Sequence, residues 1–197
     1  MSSDPADEQD RTDMARLAAG QSAALNDLMQ RHSERLFHYL VRSLQNEDEA
    51  ADLAQETFVR VYRNREKFNP AQRFSTWLYA IASNLVKDCY RHRIRHPQVS
   101  LDAQNEQTGT ELGDYLADGG SSPSEAMQAS ERAEVVRKAV AALPEELRTP
   151  LILAEYEERS QAEIGEILGC TPKAVETRIY RARKHLREAL GQLLQQV

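Results

Sequence analysis

Apolar residues recur at every third or fourth position along most of this chain, which is the pattern of helices that bury one face. No segment alternates apolar and polar residues as a half-buried strand would. The helical pattern stops at Pro97 and resumes at about Glu131, and the stretch between contains many glycines, serines and carboxylates but no lysine or arginine. Such a segment cannot bury a core. The sequence therefore predicts an all-α fold, with two small helical domains joined by a flexible acidic linker.

These features divide the chain into four predicted parts. Residues 1–12 carry four carboxylates against one arginine, and we expect them to form a disordered tail. The first helical domain is expected at residues 13–96 and the linker at residues 97–130. The second helical domain is expected at residues 131–197.

The second domain contains the pattern of a helix-turn-helix. Ser160 and Glu163 have the spacing of a capping box, in which each side chain accepts from the backbone of the other, so a helix is expected to begin there. Gly165 is small enough to let another helix approach closely, and Gly169 is expected to end the first helix. The pair 171–172 is Thr-Pro, which caps and starts a second helix.

That second helix is strongly basic. From Lys173 to Glu188 it carries six lysines and arginines against two glutamates. An apolar stripe at helical spacing faces inward, so the cations are expected to point outward, where they can neutralise phosphates. A basic helix alone is more simply explained as a solvated surface. The capping box, the glycine turn and the Thr-Pro restart together favour binding to nucleic acid.

A first stretch of interest in the N-terminal domain begins at Asn46. Asn46 and Glu49 form a second predicted capping box, which opens a helix that runs through Tyr62. One side of this helix is apolar and is expected to enter the core. The other side is polar, and its spacing alone does not distinguish a binding surface from a face that is merely hydrated.

The segment from Arg73 to Arg95 is a second stretch of interest. Aromatic residues gather at its start, and its end carries four cations against Asp88. Exposed bases stack on aromatic rings while guanidinium groups meet phosphates, so melted DNA is a candidate ligand. Trp77 and Leu78 also fit an ordinary apolar stripe, and for these two residues the core is the favoured explanation.

The overall charge restricts the possible functions. The net charge is −6, so a DNA-binding protein of this composition must concentrate its positive charge or require a partner. The polar start lacks a signal-peptide core and no apolar run reaches the length of a membrane span, so we expect a cytoplasmic protein. Cys89 and Cys170 are isolated, and we expect buried, reduced thiols and no metal or cofactor.

These segments, in this order, resemble bacterial sigma factors of the extracytoplasmic-function type, the small relatives of sigma-70 that keep only its second and fourth conserved regions. The resemblance covers nearly the whole chain, from Asp13 to about Leu194. It implies that residues 13–96 are region 2 and residues 131–197 are region 4. It also implies a factor that binds core RNA polymerase, recognises promoter elements and helps melt DNA to start transcription of stress- or signal-responsive genes.

The resemblance assigns site residues to three surfaces. It places the clamp helices of core polymerase on the polar face of the first stretch, at Asp52, Gln55, Glu56, Arg60 and Arg63. It places the melted minus-ten strand, with one base flipped from the stack, on Arg73, Phe74, Ser75, Asn84, Lys87, Arg91 and Arg93. It assigns contact with the major groove of the minus-thirty-five element to Thr171, Lys173, Glu176, Thr177, Arg178, Arg181 and Lys184.

The resemblance also implies how the acidic chain acts. Two small basic patches on loosely tethered domains would bind a promoter weakly, and core polymerase would hold both at one spacing. The acidic linker is expected to thread through the polymerase toward the RNA exit path. An anti-sigma factor, often anchored in the membrane, commonly clamps both domains in this family.

Position 176 departs from the family pattern. Many members place a basic or small residue there, whereas this chain has a glutamate. A carboxylate repels phosphate but can accept from the amino group of cytosine. Glu176 therefore either reads a cytosine edge or lies slightly off the groove, and we expect an unusual promoter preference.

Two other classes of protein remain as alternatives. A helix-turn-helix repressor would explain the second domain, but it usually forms a dimer and would leave the segment around Trp77 and the acidic linker without a role. An enzyme is poorly supported, because the five histidines have neither metal-ligand nor nucleophile–base spacing and no glycine-rich phosphate loop is present. We therefore expect a protein that is not an enzyme.

Overall fold

The computed structural model of the chain describes residues 5–95 and 123–194, with side chains over 5–95 and 131–191. These ranges contain helices and no strands, which confirms the predicted all-α fold. Eight α-helices occur in the described residues: α1 Pro5–Ala18, α2 Ala23–Leu44, α3 Glu47–Arg63, α4 Phe74–Arg95, α5 Pro123–Ala141, α6 Glu145–Glu155, α7 Gln161–Leu168 and α8 Pro172–Leu194. The predicted linker from residue 97 to residue 122 lies outside the described residues.

The first domain is a bundle of α1 to α4 around a single apolar core. Leu28, Leu36 and Leu40 of α2 are fully buried and lie on one helical face. Val61 of α3 and Phe74 of α4 pack into the same core. A short 3-10 helix follows α3 and leads to the start of α4. The core therefore fixes how α3 and α4, which carry the first two predicted sites, lie against α2.

The N-terminal tail is helical in the structure, so the prediction of disorder is wrong for residues 5–12. Helix α1 buries Met14 and Leu17 against α2. Its carboxylates find cations on that neighbour: Asp13 accepts from Arg31 at 2.6 Å and Asp10 accepts from the Nε of Arg31 at 3.0 Å. Charge matched from another helix, together with the apolar Met14 and Leu17 that follow the acids, allows this segment to fold.

The second domain consists of α5 to α8. Ile152 and Leu153 of α6, Ile164 of α7 and Val175 of α8 are buried together. Helix α5 begins at Pro123, in the part of the chain predicted to be linker, so the prediction of a linker up to residue 130 is wrong. Proline at the first helical position and helix-forming residues after it support this earlier start.

The two domains lie directly against each other. Helix α7 packs against α4, and α6 packs against α2. The sequence predicted two helical domains, and the described residues show these two domains packed on each other. The packing brings the first helix of the predicted helix-turn-helix onto the start of the predicted minus-ten segment.

Candidate nucleic-acid interface

The helix-turn-helix of the second domain is built as predicted. Ser160 and Glu163 form the reciprocal capping box at the start of α7. Gly169 ends α7 in the left-handed region at φ 63°, a conformation that glycine adopts without strain. The hydroxyl of Thr171 then accepts from the backbone N–H of Ala174 at 3.2 Å and caps α8. Local sequence signals thus fix both the turn and the start of the basic helix.

The outer face of α8 is exposed along the predicted reading residues. Val175, Ile179 and Ala182 are buried against the domain, so the residues between them point to solvent. Exposed side chains on this face are Lys173, Glu176, Thr177, Tyr180, Arg181 and Lys184. The charges and spacing of this face suit the major groove of duplex DNA.

Tyr180 is a residue that the sequence reasoning missed. It is 69% exposed, although tyrosine usually buries much of its ring. It lies one turn from both Glu176 and Lys184, in the middle of the exposed face. The sequence carries a signal for this residue, because Tyr180 lies four positions from two predicted reading residues, Glu176 and Lys184.

Some predicted reading residues are engaged within the protein. Lys173 Nζ lies 2.8 Å from Glu176 Oε2, so this carboxylate is partly neutralised by its neighbour. Arg178 is partly buried, and its Nη1 lies 3.8 Å from the sulfur of Cys170. Glu176 is therefore not repelled from DNA as strongly as an isolated carboxylate, and Arg178 presents less of its charge to the groove.

The polar face of α3 is open in the structure. Asn46 caps the helix by accepting from the backbone of Glu49 at 3.0 Å. The side chain of Glu49 contacts Arg93 and Cys89. The residues predicted to bind polymerase share the exposed side of α3 and are exposed or half-buried: Asp52, Gln55, Glu56, Arg60 and Arg63. Val59 and Tyr62 add exposed apolar area beside them.

A pocket of about 240 Å³ lies between the end of α3 and the middle of α4. It is lined by Arg60, Asn64, Lys67, Trp77, Ile81 and Asn84. The ring of Trp77 packs against Phe68, with a centroid distance of 5.3 Å, so one side of the indole is fixed by the core. Asn64 and Lys67 were missed by the sequence reasoning, because they meet Asn84 only when the end of α3 and the residues after it pack against α4.

The start of α4 is covered. Phe74 is completely buried and leaves no surface for a base, so its predicted contact with DNA is wrong. Ser75 is 7% exposed and accepts from Arg159 of the second domain at 3.1 Å. Arg73 forms ion pairs with Asp7 at 2.9 Å and with Glu163 at 3.0 Å.

The end of α4 is more accessible. Asn84, Lys87 and Arg91 are exposed, which fits their prediction as DNA contacts, whereas Arg93 is partly buried and paired with Glu49. Leu78 is buried, as the alternative interpretation of an apolar stripe expected.

The two cysteines are free and half-buried. Burial raises the pKa of the Cys89 thiol, and the carboxylate of Glu49 adds to this effect against the opposing charge of Arg93. The thiol therefore stays protonated at neutral pH. The expectation of reduced thiols fits, but neither cysteine is fully buried.

Comparison with known proteins agrees with this geometry. "Sigma-70 region 2" matches residues 28–96, and "Sigma-70, region 4" matches residues 133–186. The chain is 36% identical over 175 residues to the ECF RNA polymerase sigma factor SigW of Bacillus subtilis, covering 88% of this chain and 92% of that protein. The chain belongs to the extracytoplasmic-function sigma factors. It is also 34% identical over 189 residues to the RNA polymerase sigma-H factor of Pseudomonas aeruginosa, covering 96% of this chain and 97% of that protein.

The solved structures show the same fold. The chain matched in "Structure of CnrH in complex with the cytosolic domain of CnrY" has a TM-score of 0.67 and 26% identity, over 93% of this chain and 98% of that one. The protein is thus an RNA polymerase sigma factor, which binds the core enzyme and recognises promoter DNA. Among the described residues, no helix combines the length and apolarity that a membrane crossing requires.

Proposed function

We propose that this sigma factor divides promoter recognition among three surfaces. Region 2, helices α1 to α4, binds core polymerase through the exposed face of α3 and the melted minus-ten strand through the middle and end of α4. Region 4, helices α5 to α8, binds the minus-thirty-five duplex through α8. The observation that carries this proposal is the pocket between α3 and α4, next to the exposed cations of α4.

The pocket has the chemistry of a site for one unstacked base. Trp77 offers an aromatic wall, and Asn84 can donate to and accept from a base edge. Arg60 and Lys67 lie at the pocket, and Lys87 is exposed one turn along α4, where phosphates of the same strand would pass. Base flipping costs a few kcal/mol, and stacking of about 1–3 kcal/mol per base can offset part of that cost.

Asn84 provides a direct test. Asn84→Ala should slow open-complex formation by the holoenzyme roughly tenfold, about the value of one or two hydrogen bonds to a base. Asn84→Asp should be worse, because a carboxylate repels the strand. Permanganate reactivity of promoter thymines measures melting, and Asp88→Asn, on the exposed side of the same helix, is the control. Equal melting by wild type and both Asn84 variants would contradict the pocket assignment.

We assign the minus-thirty-five readout to the outer face of α8. Lys173, Thr177, Tyr180 and Arg181 are exposed there, with Lys184 one turn further along for phosphate. Glu176, held near Lys173, accepts from the amino group of a cytosine. Promoters selected by wild type and by Glu176→Ala should differ at one base pair of the upstream element. Identical preferences would remove Glu176 from direct readout.

We further propose that the factor acts in the cytoplasm and is held by an anti-sigma factor until a signal arrives. The full-length similarity to CnrH in its complex with the cytosolic domain of CnrY supports this proposal. RNA synthesis itself would belong to the polymerase, and the genes served would be those of a stress or signal response. Purification of the tagged factor from unstressed cells should recover a partner other than polymerase, and recovery of polymerase alone would contradict the proposal.

A further inference from the structure

Helix α1 reaches the surroundings of the pocket between α3 and α4. It packs against α2, against α4 and against the short 3-10 helix Arg65–Lys67. The last residue of that short helix, Lys67, lines the pocket together with Trp77 and Asn84. The acidic helix at the start of the chain therefore contacts two of the elements that form the pocket.

A buried carboxylate of α1 holds a histidine of α2 in place. The side chain of Asp10 is 2% exposed, and its Oδ2 lies 2.8 Å from Nε2 of His32. Its other oxygen, Oδ1, accepts from the Nε of Arg31 at 3.0 Å. A buried carboxylate is costly unless donors surround it. The ring of His32 cannot turn away without removing one of these partners from Asp10, so the bond fixes the orientation of the ring.

His32 begins a series of ring contacts that ends at the wall of the pocket. Its ring lies against the ring of Phe74, with centroids 5.1 Å apart. Phe74 contacts Phe68 at 6.2 Å and Trp77 at 6.3 Å, and Phe68 contacts Trp77 at 5.3 Å. Close-packed rings of this kind cannot be displaced one at a time. The position of the indole in the pocket therefore depends on where His32 holds Phe74.

A second carboxylate of α1 restrains the residue before α4. Asp7 Oδ2 lies 2.9 Å from Arg73 Nε, and the side chain of Asp7 is mostly buried. This ion pair connects α1 to the N-terminal end of the helix that carries Trp77. Helix α1 thus restrains both Arg73 and its neighbour Phe74.

We propose that Asp10 and His32 are positioning residues for the base pocket, acting through Phe74 on the indole of Trp77. The inference rests on the proposed role of this pocket and names what holds its aromatic wall. A base binds more tightly to a ring that is already in place, because ordering a mobile side chain on binding costs affinity. Phe74 is completely buried and cannot touch a base, so it supports the pocket from behind.

Two alanine substitutions in α1 separate positioning from general stability. Asp10 and Asp13 are both buried and both pair with Arg31, and it is Asp10 that also contacts His32. Asp10→Ala and Asp13→Ala should therefore both lower the stability of region 2, whereas Asp10→Ala should also loosen the pocket wall. His32→Gln keeps a polar group but removes the aromatic ring, and it provides the test should Asp10→Ala fail to fold.

Fluorescence of the free factor reports on the pocket wall without DNA, because Trp77 is the single tryptophan of the chain. Quenching of the indole by acrylamide should be the same in wild type and Asp13→Ala, and stronger in Asp10→Ala and His32→Gln. Urea titration of each variant in parallel identifies conditions in which it is folded. Equal quenching in wild type, Asp10→Ala and His32→Gln would overturn the proposal. An equal rise in Asp13→Ala would also overturn it, since the effect would then be general loosening.

Holoenzymes assembled with core polymerase test whether the position of the wall affects binding. The probe is a fluorescent single strand that carries the minus-ten sequence of a promoter selected by the wild-type holoenzyme, and anisotropy measures its affinity. Asp10→Ala and His32→Gln should bind the probe roughly two- to tenfold more weakly than wild type and Asp13→Ala, the effect of one lost aromatic contact. Their affinity for core polymerase should be unchanged.

Stronger quenching combined with full affinity for the strand would overturn the positioning role. Asn84→Ala, which changes the pocket itself, separates this failure from failure of the proposed function. If Asn84→Ala also left the affinity for the strand unchanged, the assignment of the pocket to a base would be wrong. The quenching would still report whether Asp10 and His32 position the indole of Trp77.

Discussion

Gly165 sets the tightness of the helix-turn-helix, and replacing it with alanine is a sharp test of that turn. A Cβ at this position would lie 2.7 Å from the backbone oxygen of Cys170 and 3.5 Å from the backbone nitrogen of Pro172. The turn cannot easily move, because the N–H of Cys170 donates to the oxygen of Gly165 at 2.9 Å. Relief of the close contact must therefore displace the start of α8.

The energetic cost follows from two opposing terms. Forcing a methyl group into packed backbone costs about 1–3 kcal/mol. Alanine instead of glycine in a helix returns up to about 1 kcal/mol. Gly165→Ala should therefore destabilise region 4 by about 1–2 kcal/mol, and a change of 1 kcal/mol moves Tm by about 4–8 °C in a domain of this size.

Gly191→Ala is the matched control. A Cβ there meets nothing within 4 Å, so only the gain in helix propensity remains and stability should rise slightly. Calorimetry of both variants measures the difference. Promoter-dependent transcription should fall for Gly165→Ala alone, with unchanged affinity for core polymerase. Equal Tm values for the two variants would refute the close approach at this turn.

Three further predictions concern acid stability, readout and the buried arginine. Burial raises the pKa of Asp13, but hydrogen bonds from Arg31, Gln9 and Arg16 outweigh it, so the net pKa lies below 3.8. The stability that Asp13 contributes is present above its unfolded-state pKa and is lost as pH falls through its lowered folded-state pKa. In urea titrations at a series of acid pH values, the free energy of unfolding of Asp13→Asn should therefore fall less steeply with pH than that of wild type, and an equally steep fall would contradict this. Tyr180→Ala should leave stability within about 0.5 kcal/mol yet weaken promoter binding by the holoenzyme roughly tenfold in a filter-binding assay; full affinity would exclude Tyr180 from the interface. Arg148→Met should lower the free energy of unfolding by about 1–3 kcal/mol, since the backbone oxygen of Leu143 loses its donors while that of Ser43 keeps the hydroxyl of Tyr90, and Arg148→Lys by less; no loss by urea titration would contradict its buried position.

Local signals made much of the fold predictable. The caps at Asn46, Ser160 and Thr171 and the glycine at position 169 act within four residues of themselves, so the sequence indicates them directly. Helix α1 was missed because composition counts its carboxylates without their partner Arg31, which is 18 residues from Asp13. Carboxylates that give a segment a high local net charge can be paired with a cation from a distant helix once the chain folds.

The sequence predicted which residue types form the site, but it did not predict which of these side chains are exposed to a ligand. Sequence places Phe74 and Ser75 in an aromatic and basic stretch, but only packing shows that one is in the core and the other lies beneath Arg159. The pocket brings together residues of α3, α4 and the segment between them. Contacts such as Arg73–Glu163, 90 residues apart, depend on how the domains pack, which no local pattern encodes.

Transcription from a random promoter library, with purified core polymerase in the presence and absence of this protein, tests most directly whether the chain confers promoter selectivity. Sequencing of the transcripts' 5′ ends should reveal new start sites that share two upstream elements at a fixed separation, and these should appear only when the protein is present. Start sites identical with and without the protein would contradict its role as a promoter-selecting subunit.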